Sequence, residues 1–301
     1  MPVRIFAPAK INLYLHVLGR RADGYHLLDS LIGFADIGDE VTAAPAAMLS
    51  LTIGGPEAAA IAGLGDDNLV LRAARLLALR AGISAGAALH LDKRLPAAAG
   101  IGGGSSDAAA ALRALSTLWG NPLDEASLKS LALQLGADVP ACLAARPVWV
   151  GGIGDEIEPA AALPEAGVVL ANPRRPLPTV EVFRHRSGPF ASAVRFDSTP
   201  KDAAGLAAVL ASRQNDLTDA AQALVPEIGA VLERLAALPG ALIARMSGSG
   251  ATCFALFGDR PTALAAGRVL AAAEPGWWSA AGGLMAAPPT VAEDGRPSDG
   301  R

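Results

Sequence analysis

The sequence predicts an α+β protein built as two units. Three observations carry this. Strand-like and helix-like segments alternate along the chain without a strict β-α-β beat. A glycine-rich stretch, Pro96 to Asp107, joins a short apolar strand to an Ala-rich helical segment. After Val148–Gly154 the character changes, and the Pro/Ala-rich run Glu158–Ala166 marks a boundary. A length of 301 residues is itself what about two domains need.

The elements follow in order. Lys10–Leu18 alternates in part and reads as a strand, and Arg20–Gly24 as a turn. Leu31–Thr42 and Met48–Ile53 read as further strands. Asn68–Arg80 has helical spacing in Leu69, Ala73, Leu76 and Leu77, with Asn68 placed to cap its start and Gly82 just past its end. Ala87–Leu91 is a short strand running into the glycine loop. The helix beyond the loop spans about Ser106–Trp119 and is broken by Asn121-Pro122. A second helix, about Glu125–Leu135, stops at Gly136. The second unit opens with the strand Val168–Ala171. Helices follow near Thr179–His185, Asn215–Leu224 and Pro226–Leu238. A hairpin pairs Ala241–Met246 with Thr252–Phe257 across Ser247–Gly250. Pro261–Ala273 is a helix and Trp277–Met285 a closing strand. The expected division is 1–157, 158–286 and a polar, disordered tail 287–301.

Composition narrows the function classes. Apolar residues make up 51% of the chain, enough for a full core, and charged residues 18%. A net charge of -4 argues against nucleic acid as a partner, which calls for a basic excess. No clean apolar span of about 20 residues exists, so no membrane partner is expected. Cys142 and Cys253 lie apart among apolar residues and read as buried thiols of a reducing, cytoplasmic setting.

The glycine loop is the sharpest signal. Three consecutive glycines cost backbone entropy that a plain turn does not require. A helix start offers unpaired N–H groups and about half a positive charge, which suits phosphate. No Gly-Lys-Ser/Thr follows, so this is not a Walker A loop. Ser105 stands where the third glycine of a dinucleotide fingerprint belongs. Ser105 and Ser106 add hydroxyls, as helix caps or as contacts to phosphate or metal. Asp138 follows Gly136 and precedes Pro140, a placement that locally favours a helix cap. Lys10 sits in an apolar opening and locally favours a snorkelling edge-strand lysine. Tyr25 and His26 beside Gly24 fit a loop, and His16 a buried structural histidine. None of the four histidines has metal-ligand spacing. Ser247–Gly250 fits both a hairpin turn and a second phosphate-facing nest.

Together these pieces resemble a family, the GHMP kinases, which include galactokinase, homoserine kinase and mevalonate kinase. Its three motifs appear in order: Pro8-Ala-Lys10-Ile-Asn12-Leu, the loop at 96–107, and Met246-Ser-Gly-Ser-Gly-Ala-Thr252-Cys-Phe. Asp23-Gly-Tyr25-His26-Leu, the triple glycine with Ser-Ser-Asp, and Gly136-Ala-Asp138-Val-Pro140 are similar to a branch acting on a cytidine-diphosphate-linked alcohol. The resemblance covers about residues 4–285.

The resemblance implies an N-terminal domain like domain 2 of ribosomal protein S5 and a ferredoxin-like C-terminal domain, with ATP and Mg²⁺ as cofactors. It implies Asp138 as the base and Lys10 as its cationic neighbour. ATP would lie over Pro96, Ala97, Ala98, Ala99, Gly100, Ile101, Gly102, Gly103, Gly104, Ser105 and Ser106, with Ser106 the first choice of metal ligand. Tyr25 and Phe183 would stack on a cytosine whose edge His26 bonds. Asn12 and Thr179 would hold the substrate, with Gly248, Ser249 and Gly250 near the transferring phosphate. A homoserine or mevalonate kinase, or a non-catalytic ATP-binding regulator, is the rival. The aromatic pair and the presence of both Lys10 and Asp138 weigh against these.

Overall fold

Two very long strands organise the first half of the chain. In the computed structural model, which describes residues 1–196, 199–290 and 292–293, β1 (Val3–Arg20) and β2 (His26–Ala46) run antiparallel around the turn at Gly24. They carry a sheet completed by β3 (Ser50–Gly54), β4 (Gly86–Asp92), β5 (Val148–Gly151) and β6 (Glu156–Pro159). β3 pairs parallel with β4. Such a pairing needs a crossover, supplied by a 3₁₀ stretch Ala58–Asp67 and α1 (Leu69–Ala81). The Asn68 side chain accepts from Val70 N–H, and Gly82 closes α1 at φ +64°. Both ends of α1 are thus where the sequence puts them.

Helices α2 (Gly103–Leu118), α3 (Glu125–Leu135) and α4 (Val139–Ala144) complete this half. The Ala-rich face of α2 lets the helix lie close to the sheet. Ala108, Ala111, Leu112 and Leu115 share a core with Ile5, Phe34, Val41 and Leu91.

The second sheet is antiparallel, in the order β10 (Trp278–Gly283), β7 (Gly167–Asn172), β9 (Cys253–Phe257), β8 (Ala241–Met246). Helices α5 (Thr179–His185), α6 (Ala203–Ala211), α7 (Thr218–Leu224) and α8 (Glu227–Ala236) lie between β7 and β8, and α9 (Arg260–Ala273) between β9 and β10. A β-α-β-β-α-β path is the ferredoxin-like arrangement. The two halves share one interior: Ala9, Ile11 and Leu13 of β1 pack with Val168, Leu170, Phe254 and Leu256.

Several expectations are corrected. α2 begins at Gly103, three residues before Ser106, and its cap position is Gly102 at φ +62°. Ser105 and Ser106 are therefore inside the first turn and cap nothing. β6, α6 and the 3₁₀ stretch are additional elements. α6 is almost wholly small and apolar, so it shows no polar-apolar period. The division at 157/158 falls inside β6, which pairs with β5 in the first sheet. Within the tail expected to be disordered, Ala292–Glu293 pairs with Val3–Arg4 and the Pro289 carbonyl accepts from Arg113 at 2.6 Å. Residues 291 and 294–301 of that tail lie outside the described residues. No described helix is long and apolar enough to cross a membrane.

Candidate active site

The site begins with the parity of β1. Alternate strand residues share a face, and Lys10 and Asn12 both point into a cavity of about 930 Å³. A bulge between Asn12 and Tyr14 then shifts the register against β2, so the next cavity residue is Leu15. Bulges commonly re-aim side chains beside active sites. β2 supplies His26, Leu28, Ser30 and Ile32, an unbroken period of two.

Lys10 is only 5% exposed. A cation buried this far needs a partner, and its Nζ lies 3.1 Å from each carboxylate oxygen of Asp138 and 3.0 Å from Asn12 Oδ1. Asp138 does occupy the cap position of α4, as its local sequence suggests, but its side chain makes no cap bond. It turns to Lys10 and stays 47% exposed. A carboxylate held by a cation yet open to the cavity is placed to meet a hydroxyl.

The loop forms the adjoining wall, bonded to β1 through the Lys10 N–H and the Ile101 carbonyl. The carbonyls of Ala99, Gly100, Ile101 and Gly102 each accept from the protein, from Thr252 N–H, Ser247 Oγ, Lys10 N–H and Ser106 N–H in turn. The acceptors are consumed inside. The first-turn N–H groups of α2 have no acceptor within the helix, and Gly103, Gly104 and Ser105 line the cavity. The two glycines that require left-handed backbone are Gly100 (φ +76°) and Gly102 (φ +62°), and Gly103 is helical. A Cβ on Gly100 would lie 2.5 Å from the Gly250 carbonyl oxygen, which binds the loop to the turn after β8.

At the far end the rings of His26 and Phe183 stack, with centroids 5.2 Å apart and planes 26° from parallel. Tyr25 stands at the rim, 60% exposed. Burial, then the charges of Arg20 and Arg186, hold the His26 imidazole below its usual pKa, so it is neutral near pH 7. The hydroxyls of Thr179 and Ser249 lie 2.8 Å apart and both line the cavity.

Most of the expected residues therefore meet in one place: Lys10, Asn12, Tyr25, His26, Ala98–Gly100, Gly102–Ser105, Asp138, Thr179, Phe183, Gly248 and Ser249. Pro96, Ala97, Ile101, Ser106 and Gly250 do not line it. Ile101 is core, Pro96 is buried and Ala97 faces out. The buried Ser106 hydroxyl donates to the Pro8 carbonyl at 2.7 Å, a structural commitment that turns it from the cavity. Gly250 packs against Met246 and Leu177. Among the described residues no cluster of three His, Cys, Asp or Glu side chains could hold a metal. Arg20, Leu28, Ser30, Ile32, Ile153 and Arg184 are additional lining residues. Alternation from His26 is the signal that points to Leu28, Ser30 and Ile32. His16 is a structural histidine, its Nε2 accepting from Gln214 N–H at 3.2 Å.

A paired lysine and carboxylate facing a glycine loop at a helix start, across two α+β halves, define a small-molecule kinase, and the chain belongs to the GHMP kinases. The family's N-terminal domain matches residues 68–146 and its C-terminal domain residues 197–275. The chain is 53% identical over 281 residues to the 4-diphosphocytidyl-2-C-methyl-D-erythritol kinase of Paramagnetospirillum magneticum, covering 93% of this chain and 98% of that one. It is 52% identical over 279 residues to the enzyme of the same name from Rhodospirillum rubrum, covering 93% and 91%. A crystal structure of 4-(cytidine 5'-diphospho)-2C-methyl-D-erythritol kinase superposes with a TM-score of 0.77 at 36% identity, covering 93% and 98%. A homoserine kinase from Cytophaga hutchinsonii, at 18% identity and TM-score 0.73, covers 97% of each chain and shares the fold.

Proposed function

We propose that this kinase transfers the γ-phosphoryl group of ATP to a hydroxyl of 4-diphosphocytidyl-2-C-methyl-D-erythritol, giving the 2-phosphate and ADP, a step in making isoprenoid precursors without mevalonate. The observation that carries the reading is Asp138, half-exposed and locked to buried Lys10, on the same cavity as the start of α2, which Lys10 adjoins. Asp138 takes the proton of the attacking hydroxyl as the P–O bond forms. Lys10 keeps that carboxylate ionised and offsets charge gathering on the transferring group. The N–H groups of Gly103, Gly104 and Ser105, with the positive end of α2, hold the nucleotide phosphates. Positioning and electrostatics of this kind carry most of phosphoryl-transfer catalysis.

Tyr25 and Phe183 clamp the cytosine, and neutral His26 bonds its edge. In this reading the base displaces His26 from the face of Phe183 that it now covers. Thr179 and Ser249 face the alcohol. Asn12 serves differently: its amide oxygen is bonded to Lys10 and its amide nitrogen to Ser30. It acts on Lys10 more than on substrate. Among the described residues the donor set does not fit a resident divalent ion, since Ser106 is turned away and no cluster of three acidic, His or Cys side chains lines the cavity. Mg²⁺ would arrive with the nucleotide and offset the charge of its phosphates. A cytoplasmic location is part of the same reading, supported by two free, buried thiols.

ADP release tests the proposal, measured with the cytidine-linked alcohol, with homoserine, with mevalonate and with ATP alone. Release with the first only is expected. For the clamp, Tyr25→Ala and Phe183→Ala should each weaken that substrate by roughly 5- to 150-fold, the range for stacking on an aromatic. ATP affinity should stay. Equal competition by CMP and UMP in wild type, with no weakening in the variants, removes the cytidine assignment.

A further inference from the structure

Ser30 on β2 is buried at 1% exposure and lines the cavity, yet no role in the reaction falls to it so far. We infer that Ser30 is a positioning residue, which orients the Asn12 amide and through it Lys10. The inference rests on the reading of Lys10 and Asp138 as the catalytic pair.

The polarity of each bond forces the next. Ser30 Oγ lies 2.5 Å from the Tyr14 carbonyl oxygen. A carbonyl only accepts, so the single hydroxyl proton of Ser30 points to Tyr14. Toward Asn12, 2.8 Å away, Ser30 is then an acceptor only, and Asn12 turns its Nδ2 to it. That leaves Asn12 Oδ1 facing Lys10 Nζ at 3.0 Å, and an ammonium only donates. Flipping the amide would break both bonds and set an N–H group against the ammonium. The chain from the Tyr14 carbonyl through Ser30, Asn12 and Lys10 to Asp138 therefore has one self-consistent proton arrangement.

Burial gives that arrangement force. Asn12 and Lys10 are 4% and 5% exposed, so solvent does not replace a lost partner. The Asn12 backbone is held independently, its N–H donating to Ser247 Oγ at 3.1 Å. The bond that Ser30 makes to Asn12 thus bears on the orientation of the Asn12 side chain, while its own proton is spent on the Tyr14 carbonyl of β1. The bulge between Asn12 and Tyr14 matters too, because Tyr14 and Asn12 oppose Leu31 and Ile32, on either side of the extra residue Leu13, with Leu15 opposite Ser30.

The test uses Ser30→Ala, Ser30→Thr and Ser30→Ala combined with Asn12→Ala. Two readouts are taken. The first is steady-state turnover with ATP and the cytidine-linked alcohol. Ser30→Ala should lower kcat roughly 5- to 20-fold, the worth of about one buried hydrogen bond, with both KM values within about twofold. Ser30→Thr keeps the hydroxyl and should restore kcat. In the Asn12→Ala background Ser30→Ala should cost nothing further, because the effect passes through Asn12. The second readout needs no turnover: the rate of acetylation of Lys10, followed by mass spectrometry, with buried Lys93 as the internal control. Ser30→Ala should speed modification of Lys10 at least about threefold and leave Lys93 unchanged. Unchanged Lys10 labelling in Ser30→Ala overturns the inference, as does equal acceleration at Lys93, which would mean general loosening. Wild type that phosphorylates no such alcohol overturns the proposed function instead, and the labelling still decides Ser30.

Discussion

Two lysines flank the start of α2, and they face opposite fates. A Cβ on Gly102 would lie 3.1 Å from the Lys10 side chain, and one on Gly103 would lie 3.1 Å from Lys93 Nζ. Lys10 pairs with Asp138, a carboxylate 47% exposed at the cavity. Lys93 is sealed between Asp39 at 2.5 Å and Asp107 at 2.8 Å, and all three are nearly inaccessible. Asp39 also accepts from the N–H groups of Arg94 and Leu95, which anchors the segment entering the loop. The chemical groups are the same on both sides. Access separates them: one carboxylate can meet a substrate, and the other two can only hold structure. Desolvation shows in Asp107, whose Oδ1 is buried without a partner and whose pKa burial pushes up to about 8.

The comparison breaks most sharply at Asp138. Asp138→Asn should cut turnover by roughly 10²- to 10⁴-fold, the span of general-base assistance, while the melting temperature and ATP affinity stay near wild type. The side chain caps nothing, and an Asn there keeps an amide oxygen to accept from Lys10, so the buried cation retains a partner. Turnover within twofold of wild type would make Asp138 structural and erase the contrast.

Lys93→Met should act the other way round. Removing the cation leaves buried Asp39 and Asp107 facing each other with no counter-ion, a loss of about 3–5 kcal/mol in unfolding free energy by analogy with broken buried pairs. Urea denaturation measures it. A variant as stable as wild type but inactive would place Lys93 in the reaction.

The neighbouring glycines sharpen the contrast. Gly102→Ala forces a side chain into left-handed backbone against Lys10, at a cost of about 1 kcal/mol or more. It should raise the KM for ATP several-fold. Gly103→Ala meets helical backbone that any residue tolerates, and presses on Lys93, so it should lower stability more than ATP affinity. Titrating ATP against both variants and comparing their melting temperatures separates the two sides. The last effect is a slope. Asp107 titrates near 3.8 unfolded and is raised to about 8 by burial in the fold. Between these values the folded state binds more protons, so this group's contribution to stability falls as pH rises, by at most about 1.4 kcal/mol per pH unit. Asp107→Asn should flatten that fall in unfolding curves taken from pH 4 to 8, and an unchanged slope would assign it to another group.

Particular elements show how far the sequence could be read. Asn68 and Gly82 bound α1, Gly136 ends α3, and α5 runs from Thr179 to His185 as its spacing requires. The hairpin around Ser247–Gly250 is equally local. Lys10, Asp138 and the loop were legible through the family motifs, although the neighbours of Asp138 alone favoured a cap. Capping, turn chemistry and apolar period act within a few residues, so they leave a trace in the order of residues.

What only tertiary structure decided lies between residues far apart. The bond from Lys10 to Asp138 spans 128 positions, and that from Lys93 to Asp39 spans 54. Apart from the family motif around Lys10, nothing in the surroundings of the two lysines tells which one faces the cavity. The bulge at Leu13 reversed the parity of β1, and α2 starts at Gly103, one residue after left-handed Gly102, where the run of three glycines marks no boundary. The sequence by itself determined two α+β units, the capped helices and the residue types of a phosphoryl-transfer site. Folding decided which carboxylate is open to substrate and which is sealed, because exposure is set by packing across the sheet and not by neighbours along the chain.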